Sequence, residues 1–210
     1  MTSDSYHTLA GPAEAIYKEK SSKFLAYAYP VESEEEIRTL LDALRKKYYD
    51  ATHHCYAWRL GPHGETFRAN DDGEPSGTAG KPILDVLRAN ELTDCVIAVT
   101  RYFGGILLGS GGLIRAYSTG ASIAVKAADV AQIVVCARYA VPLDYSQLGP
   151  MRHLVEVMGA VEESADFSDH VVLIVLVRDD ARESFEHRVR EQFSATVTPE
   201  YVGRCHRAMR

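Results

Sequence analysis

Side chains able to bind, ligate or attack crowd into two stretches of the first half of the chain. Asn70-Asp-Asp-Gly-Glu-Pro-Ser-Gly-Thr-Ala-Gly-Lys-Pro82 sets the carboxylates of Asp71, Asp72 and Glu74 near Thr78 and Lys81. Thr100-Arg-Tyr-Phe-Gly-Gly-Ile-Leu-Leu-Gly-Ser-Gly-Gly-Leu-Ile-Arg115 places Gly104, Gly105, Gly109, Ser110, Gly111 and Gly112 between Arg101 and Arg115. Glycine lets backbone approach a ligand closely, and the unpaired N–H groups that open a helix favour an anion. The guanidinium is shaped for bidentate contact with phosphate or carboxylate, and Lys81 would add a point charge. The second stretch therefore suits an anion. A plainer reading stands beside it: the glycines supply positive φ and tight packing, and Arg101 and Arg115 close ion pairs with Asp71, Asp72 or Glu74. Neither the phosphate loop G-x-x-x-x-G-K-[ST] nor G-x-G-x-x-G is present.

Three further arrangements carry less. Asp71, Asp72 and Glu74 lack the spacing of an EF-hand, so no metal is assigned to them. His53-His54-Cys55 has zinc-ligand types, but on a strand His53 and Cys55 face one side and His54 the other, so at most two converge. Ser110 sits in Leu-Gly-Ser-Gly-Gly rather than G-x-S-x-G and is not assigned as a nucleophile. No catalytic residue, metal or cofactor is assigned; His54 joins the two stretches as a candidate binding group.

The elements that must position these residues follow from pattern. Phe24 to Tyr29 reads as a strand stopped by Pro30. Ser33 and Glu36 make an S-x-x-E box ahead of Ile37, Leu40, Leu41, Leu44 and Tyr48, which repeat at helical spacing. His53–Arg59 and Glu65–Ala69 predict a hairpin around Gly61-Pro-His-Gly64, and residues 70–82 predict a loop, followed by a short helix Ile83–Asn90. Cys95–Thr100 is an apolar run of buried-strand length. Gly109-Ser-Gly-Gly112 opens a helix marked by Leu113, Tyr117, Ala121, Ala124 and Ala128 on one face. From Val134 a second set begins: strand Val135–Tyr145, helix Gln147–Met158, strands Ala160–Phe167 and Val171–Arg178, helix Ala181–Phe193 with Asp180 and Glu183 offered as its cap, and strand Thr196–Arg204. That βαββαβ order predicts a ferredoxin-like domain. The fold class is α+β, with domains over 1–133 and 134–210.

Composition agrees with two globular cores: 210 residues, 46% apolar and 25% charged. No run approaches the ~20 apolar residues of a membrane span, and the first twenty residues lack a secretory pattern, so a cytoplasmic protein without membrane contact is expected. Cys55, Cys95, Cys136 and Cys205 include no C-x-x-C pair, which points to free thiols. The net charge is −6, and neither half is a polycation, which opposes non-specific nucleic-acid binding.

Taken together, His-His-Cys-Tyr-Ala-Trp58, the segment Asp-Asp-Gly-Glu-Pro-Ser-Gly-Thr-Ala-Gly-Lys-Pro82 and the segment from Thr100 to Tyr117 resemble the IMPACT family in its bacterial YigZ-like branch. The resemblance covers about residues 15–128, and 136–208 look like the weaker-patterned second domain of that branch. It implies a first domain with the fold of the second domain of a small-subunit ribosomal protein. It also implies a second domain similar to a ferredoxin-like domain of elongation factor G. Both point toward translation. Eukaryotic members restrain the general-control translation kinase through an additional N-terminal domain, for which no room is expected here.

The function expected is a translation-associated binding protein that meets RNA or a ribosomal surface through the region of His54, Lys81, Arg101 and Arg115. The alternative is an enzyme or sensor for a small phosphorylated or carboxylated metabolite held by amides between Gly104 and Gly112. Sequence leaves the oligomeric state open.

Overall fold

A computed structural model describes residues 5–208, and the chain divides into two compact units that part between Gln132 and Ile133. The first runs β1 (Tyr6–Leu9), β2 (Ala13–Glu19), β3 (Ser22–Pro30), α1 (Glu34–Lys47), β4 (His53–Leu60), β5 (Thr66–Asn70), α2 (Gly80–Ala89), β6 (Cys95–Tyr102) and α3 (Gly109–Ala127). Its antiparallel sheet has the order β2-β3-β6-β4-β5.

Both faces of this sheet are covered, which explains why β3 and β6 read as unbroken apolar runs. Phe24, Ala26, Ala28, Ile97 and Val99 face α2 and α3, while Leu25, Tyr27, Val96 and Ala98 face α1. Helix α1 buries Ile37, Leu41 and Leu44, each contributing about 1.5–3 kcal/mol. Ser33 Oγ caps it by accepting the Glu36 amide, and the Glu36 carboxylate reaches one residue further back, to the Glu32 amide. On α3 the small residues Ala116, Gly120, Ala121 and Ala124 let the helix lie close on the sheet.

The second unit begins inside β7 (Val130–Leu143) and continues with α4 (Tyr145–Val157), β8 (Val161–Phe167), β9 (Val171–Arg178), α5 (Arg182–Gln192) and β10 (Glu200–Ala208). β9 lies between β7 and β8, and β10 pairs with β7. Tyr139, Val141, Leu173 and Val175 pack with Met151 and Leu154 of α4 and with Phe185 and Val189 of α5. This is the α+β, ferredoxin-like unit that the element order implied.

Several boundaries differ from the sequence reading for physical reasons. Helix α2 starts at Gly80 rather than Ile83 because the Asp71 carboxylate accepts the amides of Gly77, Ala79 and Gly80 and so fixes the turn ahead of it. Asp180 does not cap α5: its carboxylate turns back to Arg178, a 3-10 turn over Asp179–Ala181 intervenes, and the helix begins without a side-chain cap. The last strand begins at Glu200 rather than Thr196, whose hydroxyl bonds the Phe193 carbonyl to close α5. β7 begins at Val130, five residues ahead of the expected start.

Candidate functional site

The loop between β5 and α2 is pinned to β4 by its own acids. Asp72 Oδ2 accepts the His54 amide at 2.6 Å, and the Asp72 carbonyl lies 2.7 Å from His53 Nδ1. A carbonyl can only accept, so neutral His53 carries its proton on Nδ1. Cys55 Sγ lies 3.0 Å from the Asp71 carbonyl. Burial alone would raise the Asp71 carboxyl, but the three amides at its oxygens outweigh it and hold the group below the usual carboxylate range.

So fixed, the loop carries Glu74 into the interior, where the residue is 8% exposed. Glu74 Oε1 accepts from Arg101 Nη1 at 2.6 Å and from the Tyr117 hydroxyl at 2.7 Å, and His53 Nε2 stands 3.9 Å away. Arg101 is 5% exposed. Its Nη2 reaches Ser22 Oγ at 3.4 Å, and its buried Nε has no hydrogen-bond partner. Cys55 Sγ completes the cluster at 3.3 Å from the Tyr117 hydroxyl, and burial pushes its thiol up to about 12. Burial raises the Tyr117 phenol as well. Both stay protonated at neutral pH, so Cys55 is not a poised nucleophile.

Against this cluster lies a pocket of about 420 Å³. Thr52, His53, Glu74, Pro75 and Arg101 form one part of its wall, and Phe103, Leu107, Leu108, Gly109, Ser110 and Leu113 form the rest. The loop from β6 to α3 gets its course from Gly104, whose amide donates to Ser22 Oγ at 3.1 Å. A Cβ there would stand 2.1 Å from the Ser21 carbonyl carbon, so only glycine seats the loop on the β2–β3 turn. Gly109 starts α3 with φ of 68°, and no side chain caps that helix end.

The structure thus brings Glu74, Arg101, Gly109 and Ser110 to one pocket and sends the other candidate residues elsewhere. Thr78 is buried with its hydroxyl on the Pro75 carbonyl at 2.6 Å. Lys81 pairs with Asp85 on the surface. His54 Nδ1 lies 3.1 Å from Thr100 Oγ1, and burial lowers its pKa. Arg115 is exposed, and among the described residues no ion pair includes it; Gly105, Gly111 and Gly112 are not part of the pocket wall. Of the three acids within sequence reach of Arg101, Glu74 is the one that binds it. Among the described residues no three His, Cys, Asp or Glu side chains converge as a metal site.

Sequence reasoning weighed His53 only as a zinc ligand and left it out of the binding set, and it missed the apolar wall formed by Phe103, Leu107 and Leu113. It also missed a cationic cluster at the same end of the sheet. Lys18 and Lys23 are cross-strand partners, Lys20 sits in the turn between them, and among the described residues none has an ion pair. Lys-Glu-Lys-Ser-Ser-Lys is the signal: the hairpin fold turns this short run into one face-to-face pair and a tip.

The Impact N-terminal domain pattern matches residues 20–125, which include every residue of the pocket, and a second pattern, a domain of unknown function (DUF1949), matches 141–196. The chain belongs to the IMPACT family. It is 33% identical over 187 residues to the IMPACT family member YvyE of Bacillus subtilis, covering 89% of this chain and 86% of that one. The IMPACT family member YigZ of Escherichia coli is 32% identical over 168 residues, covering 79% and 82%. A crystal structure described as that of a hypothetical protein superposes with a TM-score of 0.64 at 27% identity, covering 97% of this chain and 99% of that chain.

Proposed function

We propose that this IMPACT family member is a translation-associated regulator that docks on ribosomal RNA with the open end of its first sheet. The observation that carries this reading is the cluster of Lys18, Lys20 and Lys23 on the turn that supports the glycine loop. Like charges directly opposite on paired strands are destabilising, so their juxtaposition makes sense against an anionic partner. Arg115 adds a fourth cation nearby, close enough to act on Tyr17 of β2. Two acids stand at the same end, Glu19 accepting from the Tyr17 hydroxyl and Asp50 from that of Tyr102, and the four cations outnumber them. Arg101, buried on Glu74, takes no part in phosphate binding under this reading. Family membership, and the resemblance of both units to domains of translation proteins, point the same way.

Co-sedimentation with ribosomes across a salt series tests it. Removing one cation that neutralises a phosphate reduces the salt slope by about 1, so changing Lys18, Lys20 and Lys23 together to Ala should flatten the dependence of log K on log salt by roughly 3. Absence of binding at low salt, or an unchanged slope in the triple variant, would sink the proposal.

A further inference from the structure

We infer that the pocket beside Glu74 is a binding site for a small amphipathic carboxylate, its head at Arg101 and the start of α3, its apolar body along Phe103, Leu107 and Leu113. Three observations meet here. The cavity, about 420 Å³, falls within the ~300–1,000 Å³ of small-molecule sites and is mostly apolar with a few polar groups. Arg101 forms part of the wall and is only 5% exposed, so a cation with little water around it borders the cavity. The uncapped amides at Gly109 and Ser110 open α3 in the same wall, where a helix favours negative charge.

Charge balance selects the head group. Glu74 already neutralises much of Arg101 at 2.6 Å and would repel a dianion at close range. A phosphate monoester, carrying close to two charges at neutral pH, fits this balance less well than a carboxylate carrying one. The side of the pocket formed by Phe103, Leu107 and Leu113 offers hydrocarbon rather than hydrogen bonds, so the rest of the ligand is aliphatic or aromatic. Such a carboxylate comes either from a free acid or from the end of a peptide chain. This site is separate from the lysine cluster, and the two proposals stand or fall independently.

The test is an amide-resolved NMR titration of the full chain with octanoate and 3-phenylpropionate, with their primary alcohols, and with a short Leu-ended peptide in free-acid and amidated forms. A free acid or the free-acid peptide should shift the amides of Gly109 to Gly111, and the arm that saturates at lower concentration identifies the source. The matching alcohol or amide should bind at least tenfold more weakly. Leu107, 83% exposed, can be changed without disturbing the core, and Leu107→Glu should weaken the carboxylate at least tenfold. The Lys18, Lys20 and Lys23 triple variant should bind it unchanged. No shift at millimolar ligand, equal binding of acid and alcohol, or indifference to Leu107→Glu would each overturn the assignment.

Discussion

Glu74 in the first unit and Asp179 in the second are both carboxylates held by arginine, yet their surroundings make them different kinds of group. The side chains of Glu74 and Arg101 are 3% and 6% exposed, and Tyr117 shares the carboxylate. Asp179 meets Arg204 at 2.8 Å and Arg182 at 3.8 Å, but these side chains are 28%, 54% and 30% exposed. Water and salt screen the second group, whereas the first has exchanged its hydration for fixed partners. Similar distances therefore do not mean similar energies.

The comparison is sharpest where one partner is removed. Glu74→Ala leaves Arg101 buried and unpaired, and urea unfolding should show a loss of roughly 3–5 kcal/mol. A loss under 1 kcal/mol would place Glu74 with the surface pairs. Replacing both, Glu74→Leu with Arg101→Met, should restore much of that loss, and a double variant as unstable as the sum of the singles would deny their coupling. Next in size comes Asp71→Ala, which strips the acceptor from three amides and should cost roughly 1–3 kcal/mol. Its pH signature has a definite sign. The folded-state carboxyl is depressed, so its contribution is complete above the unfolded value near 3.9 and fades as pH falls through the folded value. An Asp71→Asn variant should show a flatter stability curve in that acid range, and identical curves would remove Asp71 from the account. Smallest is Asp179→Ala, expected at about 1 kcal/mol or less and reduced further by salt.

Much of this architecture is legible in the sequence because its signals are local. The apolar run of β3, the helical spacing of Ile37, Leu41 and Leu44, and the βαββαβ order of the second unit all lie in short windows. What stays hidden depends on tertiary approach. Arg101 has three candidate acids, and nothing in spacing singles out Glu74 until Asp71 and Asp72 turn the loop inward. Phe103 and Leu107 look like ordinary loop residues until the loop is seated and they join a cavity wall. Lys18 and Lys23 become neighbours only through the register of the hairpin. Asp71 has the chemistry of a ligand group, but its oxygens serve the protein's own backbone.

The seat of Gly104 on Ser22 joins positions 82 residues apart in the chain. Such long closures form against a loop entropy that nearby pairings do not face, and they slow folding. The pocket wall therefore cannot take shape as a local nucleus; it is completed only when β3 and β6 have already found one another. Ligand capture would thus serve as a clock for the end of folding in this unit, appearing in a refolding experiment no earlier than the full sheet.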